Sequence, residues 1–273
     1  MKANELSKKC ETYIEDLISQ IKEDSATVTR YLDFCSRFHT YSFRNKLLIW
    51  KARRNATRVA GFSAWQKLGR FVKKGEKGIP IFAPMRIKNI EDNEDGSAEQ
   101  TEQRIFFRVV YVWDVAQTEG DALPDAPDTL CVTGTSRDIL PAMENLVRSR
   151  GITLQYADIS KACGTSQMGK IVVRASMNEN EKFSVLAHEL THEILHTREE
   201  RRALKEKVKE AEAEASAYTV CRHFGLETKA PSYLALYKVE EVDVRASLGR
   251  IVQTASTIIQ GVTKQIPALK RAA

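Results

Sequence analysis

The chain has 273 residues with a formal net charge of +6, and 42% of its residues are hydrophobic. Such a composition is typical of a globular protein with one large or two ordinary domains. No apolar run reaches the roughly eighteen residues of a membrane-spanning helix, and the N-terminus shows no signal-peptide pattern. The five cysteines are odd in number and form no CxxC pair, so we expect a cytoplasmic protein without cysteine-bound zinc.

The first 120 residues read as several helices followed by a β-hairpin. Apolar side chains recur at helical spacing through residues 3–37, which predicts two helices there and a third soon after. Residues 79–85 and 104–113 have the composition and patterning of two paired strands. The acidic segment 90–103 between them is expected to be an exposed loop, because it offers little that could pack.

Residues 121–130 read as a linker, since they belong to a stretch rich in glycine, proline and aspartate. The chain is therefore expected to divide into a domain of residues 1–120 and a second domain of residues 131–273. In the second, the sequence predicts helices at 136–150, 178–196, 205–223 and 242–266, and strands at 152–156 and 170–174. The expected fold class is α+β.

The most informative stretch of the second domain is 186–192, in which His188 and His192 flank Glu189. Two histidines four residues apart lie on the same face of a helix, so their imidazoles can reach one metal ion. This is the HExxH arrangement of zinc peptidases, in which the glutamate acts as a base and not as a ligand. We therefore expect Zn²⁺ as the cofactor, the two histidines as metal ligands and Glu189 as the catalytic residue.

The helix that carries this motif is predicted independently of it. Asn178 followed by Glu181 has the pattern of a capping box at the helix start. Four apolar residues then recur at helical spacing on one face: Phe183, Leu186, Leu190 and Ile194.

A catalytic zinc site needs a third protein ligand and an open position for water. Glu212 lies twenty residues after His192 on the predicted helix 205–223, and gluzincin metallopeptidases use this separation. Glu210 and Glu214 are rivals, because acids alternate with alanines there and one of the three can face the metal on a helix. The spacing favours Glu212 as the third ligand.

Residues 192–196 form a second, overlapping HExxH that ends at His196. The first register suits the gap to Glu212 better and lies deeper in the helix. We therefore expect His196, near the helix end, to be a surface residue or a partner of the C-terminal helix dipole. Beyond the ligand glutamate, Ser216 is a candidate for an outer contact to the site. Tyr218 is a candidate for oxyanion stabilisation, with a buried packing role as the alternative.

Positive charge is concentrated in residues 43–88, where thirteen lysines and arginines accompany one acidic residue, Glu76. Such clustering is typical of nucleic-acid binding, and the aromatic residues interleaved with it suit unstacked single strands. The residues expected to contact DNA are Tyr41, Arg44, Lys46, Arg53, Arg54, Arg58, Lys67, Arg70, Phe71, Lys73, Lys74 and Lys77.

Several stretches resemble the N-terminal domain of ArdC-type antirestriction proteins, namely residues 41–50, 56–62, 65–70, 74–79 and 111–118. The resemblance implies a domain that binds single-stranded DNA, in proteins of mobile elements that protect incoming DNA from restriction. The HExxH region with its downstream glutamate is similar to the metallopeptidase domain of the same family, which is related to the ImmA/IrrE zincins. This implies His188, His192 and Glu212 as metal ligands, with Glu189 catalytic.

We therefore expect an N-terminal helical and β-hairpin domain that binds single-stranded DNA, followed by a zincin-like metallopeptidase domain acting on a protein or peptide. One alternative is a regulatory zinc metallopeptidase that its basic domain merely targets. Another is a non-enzymatic DNA-protection protein whose metal is structural. Replacement of Glu189 distinguishes these possibilities, because it removes peptidase activity without removing a DNA contact.

Overall fold

A computed structural model describes residues 2–24, 26–88, 103–123, 136–160, 162–228 and 242–266 of the chain. The helices are α1 (Ala3–Glu23), α2 (Ala26–Arg37), α3 (Phe43–Ala52), α4 (Phe62–Lys67), α5 (Ser136–Ser149), α6 (Glu179–Leu195), α7 (Arg198–Ala203), α8 (Glu206–His223) and α9 (Val242–Gln265). The strands are β1 (Val59–Gly61), β2 (Arg70–Val72), β3 (Ile79–Lys88), β4 (Gln103–Asp114), β5 (Thr118–Gly120), β6 (Thr153–Ala157), β7 (Gly164–Ser166) and β8 (Lys170–Arg174). The mixed α+β class expected from the sequence is confirmed.

The chain divides into two compact units that do not follow each other simply along the sequence. The first unit comprises Met1–Glu15 and Leu47–Ala122, and the second comprises Asp16–Lys46 and Leu123–Ala273. Residues 16–46 belong to the second unit because α2 packs against α8 and α9. The expected linker at 121–130 and the expected loop at 90–103 lie largely outside the described residues.

The first unit is built on an antiparallel sheet of order β1-β4-β3, with β2 and β5 paired separately. The long hairpin pairs Ile79 with Val112 and continues in register along both strands. Phe82 and Val109, opposite each other in this register, pack against a small apolar cluster of Leu6, Cys10 and Leu48. This contact holds the hairpin against the N-terminal half of α1.

The second unit contains a sheet of order β6-β8-β7, in which β6 runs parallel and β7 antiparallel to the central β8. Helix α6 packs on β7 and β8 with one side and on α8 with another. The apolar stripe predicted for α6 is confirmed, since Phe183, Leu186 and Leu190 are fully buried. Side chains of α5, α8 and α9 complete this core.

Side chains cap the start of α6, and a backbone hydrogen bond marks its end. At the start, Asn178 Oδ1 accepts a hydrogen bond from the Glu181 amide at 3.0 Å, and Glu181 Oε2 accepts from the Asn178 amide at 2.9 Å. The predicted capping box is therefore confirmed. At the other end the helix stops at His196, whose amide still donates to the His192 carbonyl. Within the described part of the chain, no helix is long and apolar enough to cross a membrane.

Candidate metal centre

His188 and His192 lie on the face of α6 that is turned toward α8. Their Nε2 atoms are 3.1 Å apart, and the two rings meet edge to face with centroids 4.8 Å apart. The i,i+4 spacing on a helix places the rings one turn apart, as the sequence predicted. The pair therefore presents two nitrogen atoms to one point in space.

The carboxylate that joins this pair belongs to Glu210, near the start of α8. Its Oε2 lies 3.4 Å from His188 Nε2, and its Oε1 lies 3.4 Å from His192 Nε2. Tetrahedral zinc holds nitrogen and oxygen ligands at about 2.0–2.2 Å, which sets ligand atoms roughly 3.3 Å apart. One ligand atom from each of the three side chains lies within 4.8 Å of the others, so among the described residues these three form a group that could hold a metal ion.

Glu212, which the spacing argument favoured as third ligand, does not reach this cluster. It is 1% exposed, and its Oε2 lies 2.9 Å from Nε2 of His196. Each helical residue advances about 100°, so Glu212 is turned roughly 200° from Glu210 and faces the interior. The expectation for Glu212 is corrected on this ground, and Glu210 occupies the place that was assigned to it.

His196 is also placed differently from the expectation, since it is fully buried instead of lying at the surface. Its Nδ1 lies 2.9 Å from Nδ1 of His192, on the side of that ring turned away from the cluster. The spacing of the histidines in the sequence already indicated that His196 lies on the same helix face as His192. His188, His192 and His196 recur every four residues, which keeps all three on one helix face.

Glu189 lies in the wall of the cavity beside the cluster and is 7% exposed. Burial raises the pKa of its carboxyl group to about 7, with the neighbouring His188 opposing the shift. Gly164 of β7 covers the side chain closely, because a β-carbon added there would lie 2.8 Å from Glu189 Oε1. The absence of a side chain at Gly164 therefore permits the position of this carboxylate.

The charges of the cluster support one another. Hydrogen bonds to His188 and His192 hold the pKa of Glu210 far below its usual range. Burial acts to lower the pKa of His188, but the carboxylates of Glu210 and Glu189 outweigh it and the pKa is raised. For His192, burial prevails over Glu210 and the pKa is lowered. A cationic form is thus favoured at His188 and disfavoured at His192.

A cavity of about 700 Å³ opens at the cluster, with walls formed by β7, α6 and α8. It is lined by polar groups that include Arg201, Lys209 and Glu214. Tyr218 also lines it, but its hydroxyl donates to Asp33 Oδ1 at 2.8 Å. The Ser216 hydroxyl is buried and donates to the Ile251 carbonyl of α9 at 3.4 Å, away from the cluster.

The residues expected to contact DNA are divided between the two units. Tyr41, Arg44 and Lys46 belong to the second unit, and the other nine belong to the first. In the first unit the side chains of Arg54, Lys67, Phe71, Lys73, Lys74 and Lys77 are exposed, and those of Arg53, Arg58 and Arg70 are partly exposed. Arg70 donates to the Thr118 hydroxyl at 2.8 Å and also to backbone carbonyls of β5, so it stabilises the pairing of β2 with β5.

Lys46 does not fit the set of residues expected to contact DNA. Its side chain is 1% exposed, and its Nζ donates to Ser256 Oγ of α9 at 2.6 Å. An ammonium group at that depth cannot neutralise a phosphate. The basic pattern of the sequence included Lys46 because charge alone does not tell which face of α3 is turned inward.

A sequence model described as the N-terminal domain of anti-restriction factor ArdC matches residues 3–113. An uncharacterized protein of Bacillus anthracis is 25% identical over 283 residues, an alignment that covers 88% of this chain and 48% of that protein. The chain thus spans about half the length of that relative.

Two crystal structures of the antirestriction protein ArdC from plasmid R388 are similar to this chain. The Mn(II)-bound structure has a TM-score of 0.52 at 15% identity and covers 94% of this chain and 98% of its own. The metal-free structure has a TM-score of 0.48 at 16% identity, with 84% and 86% covered. The match to the Mn(II)-bound structure concerns the fold alone. In sequence, residues 3–113 are similar to the N-terminal domain of anti-restriction factor ArdC.

Proposed function

We propose that the second unit carries a divalent-metal centre formed by His188, His192 and Glu210, and that this centre hydrolyses peptide bonds. The observation that carries the proposal is the convergence of the three side chains beside an open cavity. The two histidine Nε2 atoms are 3.1 Å apart, and each lies 3.4 Å from a different carboxylate oxygen of Glu210. Two histidines and a glutamate are a ligand set of catalytic zinc sites, so Zn²⁺ is the proposed ion. The Mn(II)-bound state of a protein with a similar fold makes Mn²⁺ the second ion to test.

The ion, when bound, would supply a Lewis acid that polarises a carbonyl and acidifies water. Glu189 supplies the base, because its carboxylate lies in the same cavity wall and is not needed as a ligand. Its pKa of about 7 suits a group that first accepts a proton and later donates it to a leaving amine. The lack of a side chain at Gly164 leaves room for that carboxylate in the cavity wall.

The ligand set is tested by comparing Glu210→Gln with Glu214→Gln, two equal changes one turn apart on α8. Zn²⁺ or Mn²⁺ should raise the melting temperature of the wild type, because a ligand that binds the folded state stabilises it by mass action. Glu210→Gln should remove most of that rise and Glu214→Gln should retain it. A full rise in Glu210→Gln would refute the ligand assignment.

The hydrolytic role is tested with Glu189→Gln on an unstructured protein substrate such as casein and on a mixed peptide library. Loss of a positioned general base lowers rates by about 10²- to 10⁴-fold, so cleavage should fall by that factor while metal binding persists. DNA protection that survives in this variant would show that antirestriction does not need hydrolysis. Absence of cleavage by the metal-loaded wild type on every substrate would favour a structural metal.

We further propose that the first unit binds single-stranded DNA. The supporting observation is the turn between β2 and β3, where Lys73, Lys74 and Lys77 are exposed and Phe71 is 55% exposed. Glu76, the one acidic residue among residues 43–88, accepts hydrogen bonds from Arg53 at 2.9 Å and from Gln117 at 2.7 Å. The turn therefore presents net positive charge beside an exposed ring, as sequence-tolerant binding of single strands requires.

This second function is tested with Lys74→Gln/Lys77→Gln, and Lys8→Gln/Lys9→Gln on α1 is the matched control with the same loss of charge. Each phosphate contact on a single strand contributes about 0.7 to the slope of log affinity against log salt, so the first pair should lower the slope by about 1.4. The control pair should leave the slope near its wild-type value. Equal effects of both pairs would indicate net charge alone and contradict a localised site.

A further inference from the structure

A line of buried polar side chains leads from the metal cluster into the interior of the second unit. Nδ1 of His192 lies 2.9 Å from Nδ1 of His196, and Nε2 of His196 lies 2.9 Å from Oε2 of Glu212. His196 is fully buried and Glu212 is 1% exposed. Burial of such groups is costly unless each donor meets an acceptor, so the order of donors and acceptors along this line is constrained.

The constraint begins at His192. Its Nε2 lies in the cluster with His188 and Glu210, and it can offer a lone pair to a metal ion when the ring proton is on Nδ1. That Nδ1–H then points at Nδ1 of His196, which must be the acceptor. His196 consequently carries its own proton on Nε2, and this N–H donates to the carboxylate of Glu212. Every group in the line is satisfied in this one arrangement.

Further contacts hold the far end of the line in place. Arg250 Nε lies 3.4 Å from Oε1 of Glu212, and Arg250 Nη2 donates to the Leu195 carbonyl at 3.1 Å. Arg201 Nε donates to the backbone carbonyl of His196 at 3.0 Å. The C-terminal end of α6, which carries His196, is therefore tied to α7 and α9 through two arginines.

We propose that His196, oriented by Glu212 and Arg250, is a positioning residue that fixes the ring orientation and tautomer of His192 so that its Nε2 is directed into the metal cluster. The inference rests on the proposed metal centre. It assigns a role to the acid that does not reach the cluster and to the histidine of the second, overlapping HExxH. Outer hydrogen-bond partners of ligating histidines raise metal affinity by about 10- to 100-fold.

The test compares two replacements of His196 by the affinity of the full-length protein for Zn²⁺, measured by competition with a chromophoric chelator. His196→Leu fills much of the space but offers no acceptor to His192, and affinity should fall by about 10- to 100-fold with one ion still bound. His196→Asn places an amide oxygen near the position of Nδ1 and should recover most of that loss. His223→Leu, elsewhere in the same unit, is the matched control and should bind as the wild type does.

Unchanged affinity in His196→Leu would overturn the inference, and so would an equal loss in His196→Asn, because the acceptor would then not matter. Wild-type protein that binds no divalent ion would refute the metal centre and this inference together. Zn²⁺ binding without hydrolysis would refute the proposed reaction and leave the inference standing. The melting temperature of each metal-free variant shows whether it is folded.

A second measurement needs no variant. In Zn²⁺-loaded wild-type protein with ¹⁵N-labelled histidine, long-range proton–nitrogen correlation spectra report which ring nitrogen carries the proton. We expect the proton of His196 on Nε2 and its Nδ1 to be an unprotonated acceptor. A proton on Nδ1 of His196 would place two donors face to face with His192 and would overturn the inference even if His196→Leu failed to fold.

Discussion

The ammonium group of Lys46 is buried in the second unit, and its neighbours offset only part of the cost of removing its charge from water. Burial lowers the pKa of Lys46 to about 8, and the nearby Cys35 opposes that shift. The thiol is held neutral by the same burial, which raises the pKa of Cys35 to about 11. The Ser256 hydroxyl at 2.6 Å is the neutral partner that accepts from the ammonium group. A buried charge with such partners stabilises little by itself.

The lowered pKa of Lys46 determines how the free energy of unfolding changes with pH. The folded state releases the proton of Lys46 near pH 8, but the unfolded chain retains it up to its ordinary value of 10.5. The unfolded state therefore binds more protons between these values, and the contribution of Lys46 to stability rises with pH through that window. Below pH 8 burial of the charged Lys46 destabilises the folded state by its full amount, about 3 kcal/mol for a pKa shift of this size.

Lys46→Met should therefore stabilise the second unit at pH 7, by up to about 3 kcal/mol less the lost hydrogen bond to Ser256. The gain should shrink as pH rises from 8 toward 10.5. Urea unfolding of wild type and variant across this range measures the difference. Lys51→Met, an exposed position on the same helix, should show no such trend. A destabilised Lys46→Met at pH 7 would contradict the argument.

At the residue scale, the sequence was sufficient to predict that His188 and His192 lie together, because a four-residue spacing on a helix has one geometric consequence. It was not sufficient to predict which acid of α8 lies beside them. The choice among Glu210, Glu212 and Glu214 depends on the rotation of α8 about its axis, which long-range packing against α6 and α9 sets. Lys46 was misjudged for the same reason on α3.

At the scale of elements, the helices were the predictable part and the short strands were not. Helix α6 carries its own cap and apolar stripe, so its sequence determines its limits. Strand β7 is a Gly-Thr-Ser segment without apolar alternation, and it is a strand because its backbone pairs with β8. This unpredicted strand nevertheless lines the cavity and contacts the catalytic candidate through Gly164.

Gly164→Ala tests that contact between β7 and α6. An added β-carbon would lie 2.5 Å from Val185 Cγ1 and 2.8 Å from Glu189 Oε1, so strand or helix must shift. Overpacking of this kind costs about 1–3 kcal/mol, and we expect that loss together with slower peptide cleavage. Gly249→Ala on α9 is the control, since its β-carbon would meet Phe43 at an ordinary 3.9 Å. It should stabilise the helix by about 0.5–1 kcal/mol, whereas stabilisation by Gly164→Ala would contradict the packing argument.

At the scale of the whole molecule, the family match and the packing divide the chain differently. The match to the ArdC N-terminal domain runs continuously through residues 3–113, but residues 16–46 pack in the second unit. Helix α2 buries Tyr31, Leu32 and Phe34 completely, and it packs against α8 and α9. The sequence could not predict this packing, because the apolar stripe of α2 indicates that the helix packs against another element but does not indicate which one.

A fragment ending at residue 120 should therefore not fold as the intact protein does. It keeps α2 but removes α8 and α9, including the Tyr218 hydroxyl that donates to Asp33 at 2.8 Å. Each large apolar side chain of α2 exposed in this way costs about 1.5–3 kcal/mol. We expect the fragment to bind a hydrophobic dye and to lose a cooperative melting transition, with the full chain as control. A monomeric fragment that melts cooperatively and binds single-stranded DNA like the full chain would show that the first 120 residues are an autonomous domain.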